Sequence, residues 1–377
     1  MSGLYIHIPF CRSRCIYCGF YSSTLLQLRP RYVEALCREM QLRAGELKCH
    51  TVATVYLGGG TPSQLTTDEL SRLFRHLLYI YKVEQGAEIT MECNPDDITP
   101  AFAEALSRLP VNRVSMGAQT FSDQRLRFLR RRHTAGQVAQ AVSLLRQAGI
   151  GNISIDLMFG FPGETIADWQ SDIHAALALG VEHISAYSLM YEEGTPLHHL
   201  SLTDPRYAPV SEELSLAMYH LLIDSLQNAG YEHYEISNFA LPSFRSRHNS
   251  NYWQAVPYLG LGAAAHSYDL DTRSWNVSDV QRYISLIESG QLPTEEREQL
   301  TTDDRFDDMV MTRLRTCEGI SIAATRRDFG PHYAQYLLEN AQKHIALNRL
   351  AIEGDHLHLT REGLFLSDSV MSDLMHV

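Results

Sequence analysis

The 377-residue sequence lacks any uninterrupted apolar run that could span a membrane. Its first eight residues show neither the basic start nor the apolar stretch of a signal peptide, so we expect none. Internal repeats and low-complexity segments are also missing. The composition therefore predicts a soluble globular protein with no integral membrane segment.

Positive charge is scarce, since 32 lysine and arginine residues stand against 44 aspartate and glutamate residues and give a formal net charge of -12. Phosphate backbones and anionic membrane surfaces attract cationic proteins, so this balance argues against a nucleic-acid or general membrane-surface binder. It is compatible with a small, localised basic pocket.

Cysteine is too sparse and too unevenly placed for a disulfide framework, because the count of seven is odd and a chain of this size needs no such cross-links. A reducing cytoplasm is the expected location. Three cysteines fall within eight residues, which indicates ligation: Cys11, Cys15 and Cys18. The others are scattered, as ordinary buried thiols are: Cys37, Cys49, Cys93 and Cys317.

Short apolar or β-branched runs alternate with amphipathic helical stretches, a pattern that predicts a parallel sheet built from β-α units. The predicted strands are residues 4–8, 53–57, 88–92, 112–116, 153–157 and 183–187. The predicted helices are residues 32–42, 67–81, 135–148 and 167–179. A polar, glycine-rich or cysteine-rich loop follows each strand, and such loops share one face of a barrel. Six units rather than eight predict an α/β fold, a partial (β/α)6 barrel with an open flank.

After the sixth strand we predict a helix over residues 211–229 and an extended strand over residues 231–238. Near residue 299 the sequence pattern changes to one that predicts shorter helices and strands. We therefore predict a barrel domain with its extension over residues 1–290 and a second domain over residues 291–377.

The C-terminal domain resembles a winged-helix-like α+β module, with a hairpin over residues 350–359 and Thr360 capping the last helix. Such modules often bind DNA. From residue 301 onward, however, 8 lysine and arginine residues stand against 12 aspartate and glutamate residues, so nucleic acid is not an expected partner. We expect this domain to cover the open barrel or to dock a protein.

The three clustered cysteines are separated by three and then two residues, so a single turn can supply three thiolates to a [4Fe-4S] cluster. No fourth cysteine lies nearby, which leaves one iron open to the amino and carboxylate groups of S-adenosylmethionine (SAM). Tyr17 inside the loop would pack on the adenine or shield the cluster. The alternatives are chance spacing or zinc, which normally needs a fourth ligand, and His7 has no spaced partner.

The glycine run 58–60 precedes Thr61 after the second predicted strand, where bare backbone would admit the methionyl end of SAM. Ordinary turn glycines are the alternative, and a phosphate loop is disfavoured because its lysine is missing. Glu92 ends the third strand, where it would bond SAM or be a plain strand-end charge. Two further residues lie near the same predicted face, each with a structural alternative: Gln119 and Asp156.

Five separated motifs resemble, in order, those of the oxygen-independent coproporphyrinogen oxidase superfamily, whose members are radical SAM proteins. They are residues 5–11, the CxxxCxxC spacing, and residues 58–62, 116–121 and 156–162. Within this superfamily the chain resembles heme chaperones more than true oxidases. The oxidases carry CxxxCxxCxC, whereas Phe20 stands at the last of those positions, and residues 248–253 match the HNxxYW pattern of the chaperones.

The resemblance implies roles for individual residues. The residues that match cluster ligands are Cys11, Cys15 and Cys18, and those that match contacts to the cluster-bound SAM are Tyr5, Gly59 and Glu92. A further SAM or substrate pocket of the oxidases aligns with Tyr17, Gly60, Thr61, Gln119, Arg131, Asp156 and Tyr187. The predicted role of Arg131 in this pocket rests on the resemblance alone.

Heme iron accepts a histidine nitrogen, and aromatic side chains pack against the porphyrin, so His248 beside Tyr252 and Trp253 is a candidate heme ligand. It is also explained as one ordinary histidine among 17, or as a residue that braces, with Asn249, the loop beneath the barrel. Residues 258–267, rich in glycine and alanine, offer another surface that a flat ligand or SAM could approach.

The resemblance implies a cytoplasmic heme chaperone that carries a cluster and SAM. Its cargo would be heme, and its partners would be heme-acceptor proteins such as membrane respiratory enzymes; a homodimer is compatible with the sequence. The competing hypothesis is an oxygen-independent coproporphyrinogen III oxidase. In that enzyme, a radical generated from SAM abstracts hydrogen from a porphyrinogen propionate and leads to decarboxylation.

Overall fold

The computed structural model of the chain describes residues 2–47 and 51–376, so the predicted thiol Cys49 lies outside the described residues. The strands are β1 (Ser2–Ile8), β2 (Thr51–Gly59), β3 (Lys82–Cys93), β4 (Arg113–Gln119), β5 (Asn152–Phe159), β6 (His183–Ser188), β7 (Glu232–Glu235), β8 (Asn238–Ala240), β9 (Tyr258–Leu261), β10 (His266–Tyr268), β11 (Thr272–Asn276), β12 (Thr294–Gln299), β13 (Ile320–Ser321), β14 (Leu350–Glu353) and β15 (His356–Leu359). The helices are α1 (Arg29–Leu42), α2 (Thr67–Ile80), α3 (Pro100–Leu106), α4 (Asp123–Phe128), α5 (Ala135–Gln147), α6 (Ile166–Ala178), α7 (Pro196–Thr203), α8 (Glu212–Asn228), α9 (Arg247–Trp253), α10 (Val280–Glu288), α11 (Thr302–Arg313), α12 (Ile322–Phe329), α13 (Pro331–Ala346), α14 (Arg361–Leu364) and α15 (Ser367–Leu374).

Strands β1 to β6 lie side by side in chain order, and each pairs in parallel with the next. All six predicted strands are confirmed, and so is the α/β barrel fold class. Strands β1, β2, β4 and β5 are largely buried on both faces, as is usual for parallel strands that are covered on both sides. Their carboxyl ends consequently meet along one edge, where the connecting loops gather.

The sheet extends beyond the six strands on both flanks, to twelve strands in all. The antiparallel pair β7 and β8 lies against β6, while β9 pairs in parallel with β1 and leads outward to β10, β11 and β12. Among the described residues no helix combines the length and the apolar character that crossing a membrane requires.

Three details of the sequence prediction are wrong. Residues 231–238 do not form one strand: β7 turns back into β8, because the Glu235 carboxylate accepts hydrogen bonds from the Ser237 backbone N–H at 2.9 Å and from the Asn238 side chain. Cys317 is exposed, although Cys37 and Cys93 are buried as predicted. Thr360 caps α14 rather than the last helix, α15.

The C-terminal domain has its own hydrophobic core, which begins at Phe306 and includes Val310, Leu337 and Leu357 around the small antiparallel sheet β13-β15-β14. Strand β12, residues 294–299, instead pairs with β11 of the large sheet. We therefore propose that the domains divide near Leu300 rather than at residue 290.

The C-terminal domain packs against the flank of the barrel. Arg315 forms an ion pair with Glu235 at 2.9 Å and lies over the ring of Trp253 at 5.1 Å, while Arg361 binds Asp224 of α8 at 2.6 Å. These contacts join the domain to the β7–β8 hairpin and to α8 and α9.

A buried carboxylate on α1 anchors the outer flank of the sheet. Glu39 is fully buried and accepts hydrogen bonds from Arg43 at 3.2 Å, from the Gly262 backbone N–H at 2.8 Å, from Asn276 at 2.8 Å and from the Tyr283 hydroxyl at 2.6 Å. Burying a charge is tolerated only when it is paired and hydrogen-bonded, and this one has four donors. Glu39 thus fastens the β9–β11 segment and α10 to α1.

Replacing Glu39 by alanine should lower the free energy of unfolding by roughly 3–5 kcal/mol, because it leaves the buried Arg43 and the other donors without their acceptor. Urea denaturation followed by circular dichroism measures the loss. The matched control is Glu34→Ala on the same helix, whose exposed pair with Arg72 should be worth roughly 0–1 kcal/mol. Equal losses in the two variants would contradict the anchoring role.

Candidate functional site

The cysteine loop follows β1 and is held firmly at its base. Phe10 is fully buried and packs edge-on against Tyr32 at 5.3 Å between ring centroids. The Cys11 backbone N–H donates to the Ser23 carbonyl at 3.0 Å, which closes the two ends of the loop on each other. Ile16, in the middle of the loop, is buried against Leu129 in a small apolar cluster. The loop therefore has a fixed position although it lacks regular secondary structure.

A cavity of about 720 Å³ lies beside this loop at the carboxyl ends of the strands. The three loop cysteines line it, together with nine other predicted residues: Tyr5, Tyr17, Gly59, Gly60, Thr61, Glu92, Gln119, Arg131 and Asp156. A second cavity of about 340 Å³ adjoins the first, shares several of these residues and adds Tyr187. The structure thus brings together every predicted site residue except His248.

The cysteine side chains have surroundings that suit thiolates bound to a cationic group. The Thr61 hydroxyl lies 3.4 Å from Cys11 Sγ, and the Arg131 guanidinium donates to Cys15 Sγ at 3.6 Å. Burial raises the pKa of the Cys11 and Cys18 thiols, and the neighbouring thiols raise it further. Three thiolates would therefore repel one another here unless a positive group held them, which is what metal binding supplies.

Three soft thiolates that line one cavity fit the ligand set of a [4Fe-4S] cluster. In a cubane each thiolate binds a different iron, so its three ligands stand farther apart than the ligands of a single ion. Among residues 2–47 and 51–376, no three cysteine, histidine, aspartate or glutamate side chains converge closely enough to bind one metal ion.

The glycine run after β2 brings two backbones into close contact. The Gly60 N–H donates to the Ile8 carbonyl at 2.8 Å, and a Cβ atom on Gly60 would lie 2.7 Å from the Pro9 carbonyl carbon. Gly59 has a φ of +106°, and a Cβ there would lie 2.5 Å from the His7 ring. These positions require glycine because any side chain would displace the segment that leads into the cysteine loop.

Glu92 occupies the floor of the cavity at the end of β3. It accepts hydrogen bonds from the Tyr56 hydroxyl at 2.8 Å and from the Gly59 backbone N–H at 3.2 Å. Burial raises the pKa of its carboxyl group to about 7, and the nearby Asp156 also raises it. Tyr5 stacks on Tyr56 beside it, with ring centroids 6.3 Å apart. This carboxylate is suited to a cationic ligand group, which would favour its ionised form.

Gln119, Arg131 and Asp156 converge from three different elements. Gln119 ends β4 at a bulge with a φ of +69°, an uncommon conformation for a residue with a side chain. Arg131 donates to the Asn94 side chain and to the Gly117 carbonyl, both at 2.7 Å. Burial raises the pKa of Asp156 to about 6. This part of the cavity wall thus places the Arg131 guanidinium near a buried acid, Asp156, that ionises with difficulty.

His248 lies inside the barrel below this layer, 1% exposed, and lines neither cavity. Its Nδ1 lies 2.8 Å from the Thr54 hydroxyl and its Nε2 lies 2.9 Å from the Tyr252 hydroxyl, while its ring stacks on Tyr56. Neither ring nitrogen faces a ligand space. The heme-ligand assignment of His248 stays a prediction, and it would require the ring to leave both hydrogen bonds.

Sequence reasoning assigned no role to Asn94, which lines the cavity and braces Arg131 from the loop after β3. Tyr252, which we expected to pack against a porphyrin, reaches the cavity from the HNxxYW segment. His266 also lines the cavity. His266 belongs to residues 258–267, the surface that we expected a flat ligand or SAM to approach, although sequence reasoning assigned this histidine no role of its own.

Comparisons with known proteins agree with this site. Residues 5–176 match the Radical SAM superfamily and residues 300–366 match the HemN C-terminal domain. Heme chaperone HemW of Bacillus subtilis is 33% identical over 98% of this chain and 98% of its own. Heme chaperone HemW of Mycobacterium tuberculosis is 34% identical over 99% and 94%. The chain belongs to the HemW family.

The fold of this HemW family member is also that of a solved structure. Coproporphyrinogen III oxidase (HemN) from Escherichia coli superposes with a TM-score of 0.87, covering 100% of this chain and 90% of that one, at 21% sequence identity. At that identity the likeness establishes the architecture alone. Membership of the radical SAM superfamily implies a [4Fe-4S] cluster and SAM, so these predicted cofactors are confirmed at the level of the family.

Replacing Gly60 by alanine should push the Ile8–Phe10 segment away from β2 and displace the cysteine loop. We expect a loss of roughly 1–3 kcal/mol in the free energy of unfolding, since the clash is with backbone atoms, and reduced iron per chain after anaerobic reconstitution. The control is Gly45→Ala, where a Cβ meets nothing within 4 Å. Unchanged iron content in the Gly60 variant would show that the close approach does not position the loop.

Proposed function

We propose that this chain is a heme chaperone of the radical SAM superfamily. It binds heme as cargo, carries a [4Fe-4S] cluster and SAM, and delivers heme to acceptor proteins such as membrane respiratory enzymes. One observation carries the proposal: in a chain that aligns end to end with HemW proteins, three cysteines of one loop line a cavity with the predicted SAM contacts. The expected compartment is the cytoplasm, and a homodimer is a further expectation.

In this proposal Cys11, Cys15 and Cys18 bind the cluster, which when loaded supplies an electron-donating centre with one iron open to SAM. This role agrees with their common cavity and with the hydroxyl and guanidinium groups beside two of the thiols. The residues proposed to contact the cluster-bound SAM are Tyr5, Gly59 and Glu92. The residues proposed for a further SAM or substrate pocket are Tyr17, Gly60, Thr61, Gln119, Arg131, Asp156 and Tyr187.

The side chains of the pocket have complementary tasks. Glu92 is held by two donors and presents a carboxylate that a SAM ammonium or ribose hydroxyl can reach. Gly59 and Gly60 keep the approach free of side chains. Arg131 places a positive charge beside Cys15 and beside the negative charge that a thiolate-bound cluster carries. The pocket therefore binds and orients a charged ligand through groups that are already fixed.

A second function, coproporphyrinogen III oxidase, is suggested by the shared architecture with HemN. The loop sequence weighs against it, because Phe20 replaces the final cysteine of the oxidase pattern. Its side chain is 76% exposed and lines both cavities, so it offers an apolar surface at their common mouth. An exposed aromatic ring suits contact with a porphyrin face better than it suits cluster chemistry.

Anaerobically reconstituted protein should bind heme with one-to-one stoichiometry and should pass it to an apo-acceptor when the two are mixed. Absorption spectroscopy follows both events. In a parallel assay with SAM, a reductant and coproporphyrinogen, the porphyrin carboxyl groups should remain intact by mass spectrometry. Loss of carboxyl groups would replace the chaperone proposal with the oxidase, and failure to bind heme would reject the chaperone outright.

The cluster assignment has its own test. Cys15→Ser should lose most of the iron and the cubane signal in Mössbauer and paramagnetic resonance spectra, because serine is a harder and weaker donor than thiolate. Cys317→Ser is the control, since Cys317 is exposed in the C-terminal part of the chain and lines neither cavity. Equal iron content in the two variants would overturn the assignment.

A further inference from the structure

Three histidines line the large cavity, and they differ in whether a ligand can reach their nitrogens. His7 is 7% exposed, and its Nδ1 lies 3.0 Å from the Tyr5 hydroxyl. His133 is 3% exposed, and its Nε2 lies 3.1 Å from the Ala118 carbonyl. His266 is exposed, and no hydrogen bond joins its ring to any residue that the structure describes. A large, rigid ligand can approach His266 alone among the three.

The fold presents His266 at the cavity by means of a tight turn. The turn between β9 and β10 has left-handed backbone at Gly262, with a φ of +101°, and at Ala264, with a φ of +59°. Left-handed backbone at a residue with a Cβ costs roughly 1–2 kcal/mol. The buried Glu39 and Asn276 side chains hold the turn through the Gly262 N–H and carbonyl at 2.8 and 2.9 Å.

Ring stacking orients the imidazole of His266, and its nitrogens remain available because no hydrogen bond to a described residue uses them. It pairs with Trp275 across β10 and β11, and the two rings stack with centroids 5.7 Å apart and an interplanar angle of 29°. Stacking uses the face of the imidazole and leaves both nitrogens at the ring edge. Partial burial lowers the pKa of His266, and the Arg273 guanidinium lowers it further, which favours the neutral ring. A neutral imidazole is the form that binds a metal.

The rest of the cavity suits a flat apolar ligand with carboxylates at one edge. Ala264 has a small side chain and leaves space in the cavity beside His266. Phe20 offers its exposed ring at the mouth of the cavity. Arg12 and Arg14 of the cysteine loop line the same cavity and are exposed, and neither forms an ion pair with a described residue. In a chain with a net charge of -12, two such guanidiniums are a local match for propionate groups.

We propose that His266, rather than His248, is the axial ligand of the heme iron, with the porphyrin lying in the cavity beside the cysteine loop. One ring nitrogen of the neutral imidazole donates its lone pair to the iron. If a weakly held water occupies that coordination position, the water leaves; otherwise the position is open. This assignment rests on the proposed heme-chaperone function and specifies its cargo site. It also means that heme and the cluster occupy the same cavity.

The test uses the full-length protein with its cluster reconstituted anaerobically and titrated with heme, followed by absorption and paramagnetic resonance spectroscopy. His266→Ala should lose the histidine–iron signature and bind heme about tenfold or more weakly, which corresponds to about 1.4 kcal/mol. His266→Met should keep heme but shift the spectrum to that of a thioether-ligated iron. A structural role for His266 would not produce that shift.

Two histidine variants serve as controls: His248→Ala, and His174→Ala at an exposed position on α6. Both should keep the parent spectrum, with folding and cluster content checked by circular dichroism and iron analysis. Parent-like heme binding by His266→Ala, or loss of the histidine signature in His248→Ala alone, would overturn the assignment. If the parent itself binds no heme, the proposed function fails, which is a distinct outcome.

Discussion

The contact between the end of β1 and the glycine run after β2 determines where the chemistry of this protein can occur. The Gly60 backbone touches the Ile8–Phe10 backbone, and a Cβ atom would not fit between them. Because the cysteine loop starts at Phe10, this contact sets the distance between the thiols and the residues at the ends of β2 and β3. Parallel pairing places all these strand ends on one edge, so the loop, the glycines and Glu92 share one cavity.

Buried charge is used twice to hold the irregular parts of the molecule. Glu39 gathers four donors and fastens the β9–β11 flank to α1. Glu88, at the lower end of the barrel, accepts the backbone N–H groups of Arg247 and His248 and so fixes the start of α9. In each case a carboxylate replaces the missing secondary-structure partners of a loop or helix end, which is how buried backbone groups are satisfied.

These two anchors separate the histidines by role. His248 follows directly from the Glu88 anchor, and its ring is enclosed by Thr54, Tyr56 and Tyr252. It braces the barrel interior, while Tyr252 of the HNxxYW segment lines the large cavity and Asn249 lines the second. His266 belongs to the flank held by Glu39, and its ring is stacked but otherwise free. The histidine of the HNxxYW segment and the histidine that we propose as the iron ligand are therefore different residues.

Much of the architecture could be predicted because it depends on local patterns. Apolar strand runs with helices between them determined the six parallel strands, and the cysteine spacing by itself indicated a cluster with one open iron. The return of β7 into β8 could not be predicted, since it depends on how the Glu235 carboxylate bonds two residues further along. The extension of the sheet through β9 to β12 joins segments more than 200 residues apart, which no local pattern encodes.

The sequence by itself determined the kinds of groups present: three soft thiolates in one loop, glycines where a backbone must come close, and an acid at the end of a strand. Only the tertiary structure decided which polar side-chain atoms are already hydrogen-bonded and which can still bind a ligand. A histidine is a ligand or a brace according to whether its nitrogens are already bonded, and that depends on neighbours from distant strands. Thr54 satisfies His248, whereas no described residue satisfies the nitrogens of His266.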